Sequence, residues 1–375
     1  MKEKPEMVQA LNVLGTRGVP AAHGGYETFA SHLAPYLAGR GWDVTVYCQE
    51  DSGQDGFEDD WRGVRRVHFT ATAKGAAGTM QFDAKCVRDV LKRPGIDLVL
   101  GYNTAVFNLV QKLRRRTVVM NMDGIEWQRQ KWSFPAKAWF FLNELVGANM
   151  STMLIADHPE MEKHLRGRAR NAEIRMIAYG ADAVTAASTV PLDALGLEPD
   201  RYLIKIARVA PENSWLPIIR AFSRQRRGYK LVLLGGFESS DAYAKACQSA
   251  ASDEVVFAGT IFDPALVQAL RFHARAYLHG HTVGGTNPSL CEALGAGNAV
   301  IAHDNRFNRW TAGEGQAFFT DENSCEAAIE RMLNDLNFVE KARSAARHRH
   351  AESFTWPIIL GAYEEMLSEL TDRHD

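Results

Sequence analysis

Two glycines, a capped helix start and a single carboxylate stand together in HTVGGTNPSLCEALGAG, residues 281–297. Gly284 and Gly285 carry no Cβ, so an anion can approach the backbone closely there. Asn287 is a good N-cap and Pro288 suits the first helical position, while Leu290, Ala293 and Leu294 supply an apolar face. The backbone N–H groups leading into such a start, at Gly285, Thr286 and Asn287, and the positive end of the helix dipole favour a phosphate. Glu292, inside the helix, can accept hydrogen bonds from hydroxyl groups. Phosphate at the helix end with a polyol beside it is the chemistry of a sugar nucleotide. The plainer alternative is that Ser289 and Glu292, which have capping-box spacing, only close the helix end. That alternative takes Pro288 out of its preferred position.

Other glycine-rich loops follow apolar runs in the same way. GTRGVPAAHGG, from Gly15 to Gly25, contains Arg17, a residue able to meet a phosphate or a carboxylate. It is not GxGxxG, and no acidic residue follows at the dinucleotide-fold spacing, so the nicotinamide reading is weak. ARVAPENS places Arg208 at the end of an apolar run, suited to a diphosphate. Gly235 and Gly236 after LVLL, and FAGT at 257–260, are further strand-end turns. Each of these could equally be purely structural.

The elements that position these loops alternate between apolar runs and helical patterns, as in parallel α/β folds. Strands are expected at 8–14, 43–48, 64–70, 98–101, 117–122, 152–156 and 174–177. A second series follows at 202–206, 230–234, 255–258, 276–279 and 299–301. The stretch 192–200, with Gly196 and Pro199, has linker character. It suggests domains over 1–188 and 189–355, and near the end Trp356, Ile359, Tyr363 and Met366 could share one helical face. The 375 residues carry a net charge of −2, which argues against broad nucleic-acid binding. The five cysteines form no CxxC pair and read as reduced thiols of a cytoplasmic protein, with no metal site suggested. No signal-peptide core opens the chain, and residues 136–150 are too short and polar to span a bilayer.

The ordered set GTRGVPAAHGGYETFASHLAPYLAGRGWDVTVY, AYGAD, ARVAPENSWLPIIRAFS, LVLLGG, VFAGTIFDPALVQAL and HTVGGTNPSLCEALGAGNAVIA resembles the GT-B glycosyltransferases of retaining family 4. It is most similar to a bacterial subgroup often described as rhamnosyltransferases, marked by GTRGxP, DGxEWxRxKW and GGTNPSLxEA. The resemblance implies two Rossmann-like domains facing each other across a cleft, with a C-terminal helix (about 356–375) returning to the first. The second domain would bind a nucleoside-diphosphate sugar, and the first a saccharide or lipid-linked acceptor, in cell-surface polysaccharide synthesis. No cofactor or metal is expected.

By the same resemblance, Glu292 matches the second glutamate of an E-x7-E pair that holds ribose hydroxyls. Gly284 stands where the first would be, and Asn213 where a lysine usually accompanies Arg208. Arg208 is expected to be catalytic, meeting the charge of the diphosphate, and Ser289, Gly235, Gly25 and Arg17 are the further residues assigned to the donor. Asp123 opens DGIEWQRQKW at a position where relatives place a histidine near the reacting sugar, and His158 is a second catalytic candidate. Trp127, Arg129, Lys131 and Trp132 are expected at the acceptor, though the tryptophans could be core and the charges a solvated face. Lys112, Arg114, Arg115 and Arg116, with Trp139, Phe140 and Phe141, suit peripheral association with an anionic membrane. The rivals are a sugar-nucleotide epimerase of similar shape and a binding protein without turnover.

Overall fold

The computed structural model describes residues 9–22, 24–122, 124–129, 131–238 and 241–373. The chain forms two units: Met1–Ala178 together with Pro357–Asp375, and Tyr179–Trp356.

In the first unit the described strands are β1 (Ala10–Leu14), β2 (Asp43–Glu50), β3 (Phe57–Trp61), β4 (Val64–Thr70), β5 (Ile96–Leu100), β6 (Val118–Asn121), β7 (Met153–Ala156) and β8 (Glu173–Met176). They lie in the order β3-β4-β2-β1-β5-β6-β7-β8, parallel except for β3. The sequence expectation lacked β3, whose FEDDW shows no apolar alternation. What makes it a strand is the two-residue turn Arg62-Gly63, with φ of 55° and 77°, which joins the pair Trp61 and Val64. Positive φ at both turn residues matches the twist of a hairpin.

The buried carboxylate of Asp97 ties the middle of this sheet together. It accepts from Arg116 Nε (2.9 Å), Gln111 Nε2 (2.9 Å) and Asn12 Nδ2 (3.2 Å). Asn12 faces Asp97 directly in the β1–β5 register.

The second unit contains β9 (Tyr202–Ile206), β10 (Lys230–Leu234), β11 (Val255–Gly259), β12 (Ala276–His279), β13 (Ala299–His303) and β14 (Ala317–Phe319), all parallel. Their order is β11-β10-β9-β12-β13-β14. Leu203, Leu231, Leu233, Leu278 and Ile301 meet Trp215, Phe222, Ile329 and Met332 from the helices in one fully buried core. The three-residue β14 was also absent from the sequence expectation, being too short to show a period.

The C-terminal helix, Trp356–Asp372, buries the face foreseen from its spacing. Beyond Trp356 it packs on the first unit: Tyr363 lies against Phe29 (ring centres 4.7 Å apart) and its hydroxyl accepts from Asn121 Nδ2 (3.0 Å). Glu364 accepts from the Tyr36 hydroxyl (2.8 Å) and pairs with Arg40 (3.0 Å). Trp356 itself stays with the second unit. Its indole fills the space beside Gly180, where a Cβ would come within 2.5 Å of the ring. All five cysteines are buried and free.

Candidate functional site

The strand order of the second unit reverses between β9 and β12: β10 and β11 continue to one side, β13 and β14 to the other. In open parallel sheets, ligands bind outside the carboxyl ends of the strands at such a switch point. The two loops that emerge there are those carrying Arg208 and Gly284. They lie side by side, because the Thr282 amide (2.9 Å) and hydroxyl (3.0 Å) both donate to the Glu212 carbonyl.

The helix Pro288–Gly295 starts as the sequence suggests, with the Asn287 side chain accepting from the Ser289 amide (3.0 Å). The capping-box alternative is excluded by this geometry, since Ser289 is not the N-cap. Its hydroxyl instead lies 2.8 Å from the Tyr277 hydroxyl. No acidic residue occupies the first turn of this helix. Thr286 is buried in the loop before it. Gly284 has φ +147°, with open space where a Cβ would stand. The backbone there, rather than crowding, demands glycine.

Arg208 is exposed, and its side chain makes no hydrogen bond or ion pair among the described residues. Its carbonyl is held by Asn213 Nδ2 (2.8 Å) and by Trp215 Nε1 (2.8 Å). Asn213 is thus buried and spent on shaping the turn that presents Arg208. Glu292 is not free: its Oε2 pairs with Arg271, which also reaches Ser289 Oγ at 3.4 Å. Glu292 remains a third exposed (34%). Oε1, the atom available to a hydroxyl donor, has no partner among the described residues. Sequence reasoning missed Arg271, which carries no motif and lies on the helix Pro264–Phe272. Gly235 is packed against the β9 loop, where a Cβ would meet the Ala207 carbonyl oxygen at 2.6 Å.

Beneath these loops, burial holds Lys205 down to about 7 and pushes His279 well below the ordinary histidine value, with Lys205 and His303 adding to the effect. His279 is therefore a neutral core residue.

In the first unit the sheet reverses between β1 and β5; Arg17 belongs to the loop that leaves β1, and Gly25 opens the helix that follows it. The anion position at the start of the helix Gly25–Ala38 is already filled by a side chain. Glu27 accepts from the Arg17 amide (2.9 Å) and lies 3.4 Å from the Thr16 hydroxyl. Beside it opens a cavity of about 250 Å³, lined by Arg17, Glu27, Cys48, Glu50, Arg66 and His68. His68 bridges Glu50 (2.7 Å) and Asp59 (3.0 Å). Burial pushes the Cys48 thiol up to about 11, so it is protonated at neutral pH.

The four residues expected at the acceptor have internal partners. Trp132 Nε1 donates to Glu126 (3.0 Å), Arg129 pairs with Glu126 (2.6 Å), and Lys131 lies 4.0 Å from it. Trp127 Nε1 donates to Glu144 (2.8 Å), which also takes His164 (3.0 Å) and Arg168 (3.2 Å). Two buried glutamates therefore organise Trp127, Arg129 and Trp132, a role not visible in the sequence. His158 is fully buried, and its Nδ1 accepts the Glu160 amide (3.0 Å), capping the helix Pro159–Arg166. Asp123 lies outside the described residues.

A family model described as a domain of unknown function (DUF1972) matches residues 8–182. No curated protein matches the chain. Among solved structures, sucrose-phosphate synthase from Thermosynechococcus elongatus superposes with a TM-score of 0.81 at 18% identity, over 97% of this chain and 100% of that one. HepE from Anabaena, in complex with UDP, gives 0.73 at 15% identity, over 96% and 100%. α,α-Trehalose 6-phosphate synthase from Burkholderia multivorans gives 0.75 at 12% identity, over 98% of both chains. The fold is that of the GT-B glycosyltransferases.

Proposed function

We propose that the chain is a retaining glycosyltransferase of family 4 that moves a sugar, rhamnose being the one its motifs suggest, from a nucleoside diphosphate to a saccharide or lipid-linked acceptor. The reading assigns the donor to the second unit and the acceptor to the first. The observation that carries it is the joining of the Arg208 and Gly284 loops at the β9/β12 switch point, beside a helix start with no acid of its own. HepE, of the same fold, holds UDP, and in another crystal UDP-glucose.

In this mechanism the bond between the anomeric carbon and the phosphate oxygen breaks first, its electron pair leaving with the diphosphate. The acceptor hydroxyl attacks on the same face and passes its proton to the departing phosphate oxygen. Arg208 and the amides of Gly285, Thr286 and Asn287 stabilise the growing charge. Glu292, steadied by Arg271, takes the ribose hydroxyls through Oε1. These groups supply the positive charge without a divalent cation, so turnover should persist in a chelator.

The test is acceptor-dependent release of nucleoside diphosphate. Arg208→Ala should lower turnover by roughly 10²–10³, the usual cost of losing one transition-state donor, with an unchanged thermal midpoint. Near-normal turnover in that variant overturns the assignment. Release that ignores the acceptor indicates hydrolysis, whereas a donor converted without net release of nucleoside diphosphate favours the epimerase.

A further inference from the structure

Among the described residues, Lys205 on β9 is the only buried lysine. Its Nζ has no hydrogen-bond partner among them and stands 4.8 Å from the Trp215 ring. The same indole donates from Nε1 to the Arg208 carbonyl (2.8 Å), so one ring joins the amine to the turn that presents Arg208. On its other side the amine meets the start of the Gly284 loop. A Cβ on Gly280 would come within 2.9 Å of Nζ and would also touch the Asn213 carbonyl oxygen. Both loops at the β9/β12 switch point are thus rooted beside this amine. They are tied to each other close by, where Thr282 donates to the Glu212 carbonyl.

No counter-charge accompanies it. The titratable groups that act on it are the Cys247 and Cys325 thiols, from the helices Ala242–Ser249 and Glu322–Asn334, and it acts in turn on His279 of β12. Burial pushes the two thiols up to about 11 and about 12, so both are protonated at neutral pH. His279 is kept neutral by burial, with Lys205 and His303 of β13 adding to the effect. The two loops themselves contribute Arg208 and Glu212, one charge of each sign, and His281. Burial alone therefore sets Lys205, and brings it down to about 7. A side chain needed only to fill this space would serve better without an amine. An ionisable group perturbed by burial directly behind a ligand site is the usual companion of function.

We propose that Lys205 is a positioning residue for the donor: its ammonium, behind the joined Arg208 and Gly284 loops, is the buried counter-charge to the donor's diphosphate, and binding draws a proton from solvent onto Lys205 Nζ. The inference rests on the donor reading of the second unit. An anion held on the loops favours the charged form of an amine behind them. The linkage is reciprocal, so the protonated chain binds the anion more tightly than the neutral one. Being fully buried, the amine touches no ligand atom. It acts through Trp215, which holds the Arg208 carbonyl, and through the backbone at Gly280. Below pH 7 the amine is already charged in the free chain, and affinity is highest there. Above pH 7 binding must bring the proton with it. Affinity then falls with pH, by at most about ten-fold per unit, until pH passes the raised value of the complex. When the diphosphate leaves, the proton returns to solvent.

The test is calorimetric titration of the full chain with uridine, thymidine, guanosine and adenosine diphosphates in turn. It is run at pH 8 in HEPES and in Tris, whose heats of ionisation differ, so that the difference in binding heat counts the protons taken up. The probe's own phosphates, with a second pKa of about 6, are already ionised at that pH. The expected result is uptake of about half to one proton per nucleotide bound, with affinity rising several-fold from pH 8 to pH 7. In Lys205→Met both the uptake and the rise should vanish, with a thermal midpoint no lower than that of the parent. A role in packing alone would leave no proton uptake in the parent, a measurement that needs no variant. Binding without uptake in the parent, or uptake of the same size in Lys205→Met, overturns the proposal and leaves the donor reading intact. If none of these nucleotides binds, the donor reading falls, and the proposal with it.

Discussion

Replacing Lys205 by methionine should stabilise the second unit, by an amount that depends on pH. Lys205 is fully buried in β9, its Nζ has no hydrogen-bond partner among the described residues, and it lies under Gly280, where a Cβ would come within 2.9 Å of it. Burial lowers its pKa from the ordinary 10.5 to about 7. Below pH 7 both folded and unfolded chains carry the proton, and the full cost of the buried charge is present. Between 7 and 10.5 the unfolded chain binds a proton that the folded chain does not, so stability rises with pH; above 10.5 the cost is gone. At 1.36 kcal/mol per pH unit this cost is about 5 kcal/mol. The Trp215 ring, 4.8 Å from Nζ, offsets part of it, up to about 2 kcal/mol for a desolvated cation–π contact. Methionine keeps the length of the side chain without the charge. At pH 6 the variant should therefore gain about 3–5 kcal/mol, which for a unit of this size is roughly 10 °C in thermal midpoint. Scanning calorimetry at pH 6 and pH 10 measures both ends. A midpoint at pH 6 that is unchanged or lower, or a gain of the same size at pH 10, would refute the reasoning.

Three more outcomes are expected from the site and its supports. Arg271→Ala should weaken nucleoside-diphosphate binding in calorimetry, because Glu292 loses the partner that steadies it; in a Glu292→Ala background the same change should have little further effect. Asn287→Ala should cost about 1 kcal/mol of stability by removing the N-cap, read from urea unfolding, and should also weaken anion binding at that helix start. Arg116→Met should cost about 3–5 kcal/mol, since it leaves the Asp97 carboxylate buried without its charged partner. Adding Asp97→Asn should recover much of that loss, and no recovery in the double variant would show that the guanidinium acts by packing alone.

The sequence by itself determined the features that local chemistry specifies. The cap at Asn287, the glycine-rich turns at strand ends, the alternation of apolar runs and helices, and the buried face of the last helix all follow from neighbours within a few residues. Tertiary structure decided what each polar side chain meets. The resemblance expects a lysine at Asn213, and only the folded turn shows this asparagine holding the Arg208 carbonyl. Glu292 reads as a free ribose acceptor until the helix Pro264–Phe272 brings Arg271 to it. The tryptophans and cations of DGIEWQRQKW read as a saccharide surface until Glu126 and Glu144 claim their polar atoms. Such pairings depend on strand order and helix register, which are set by the summed burial of many apolar residues. Burial has no direction and no address in the chain, whereas a hydrogen bond has both. The sequence could therefore name the glycine-rich loops at the strand ends, but only the packed sheets could say which of their side chains are already engaged.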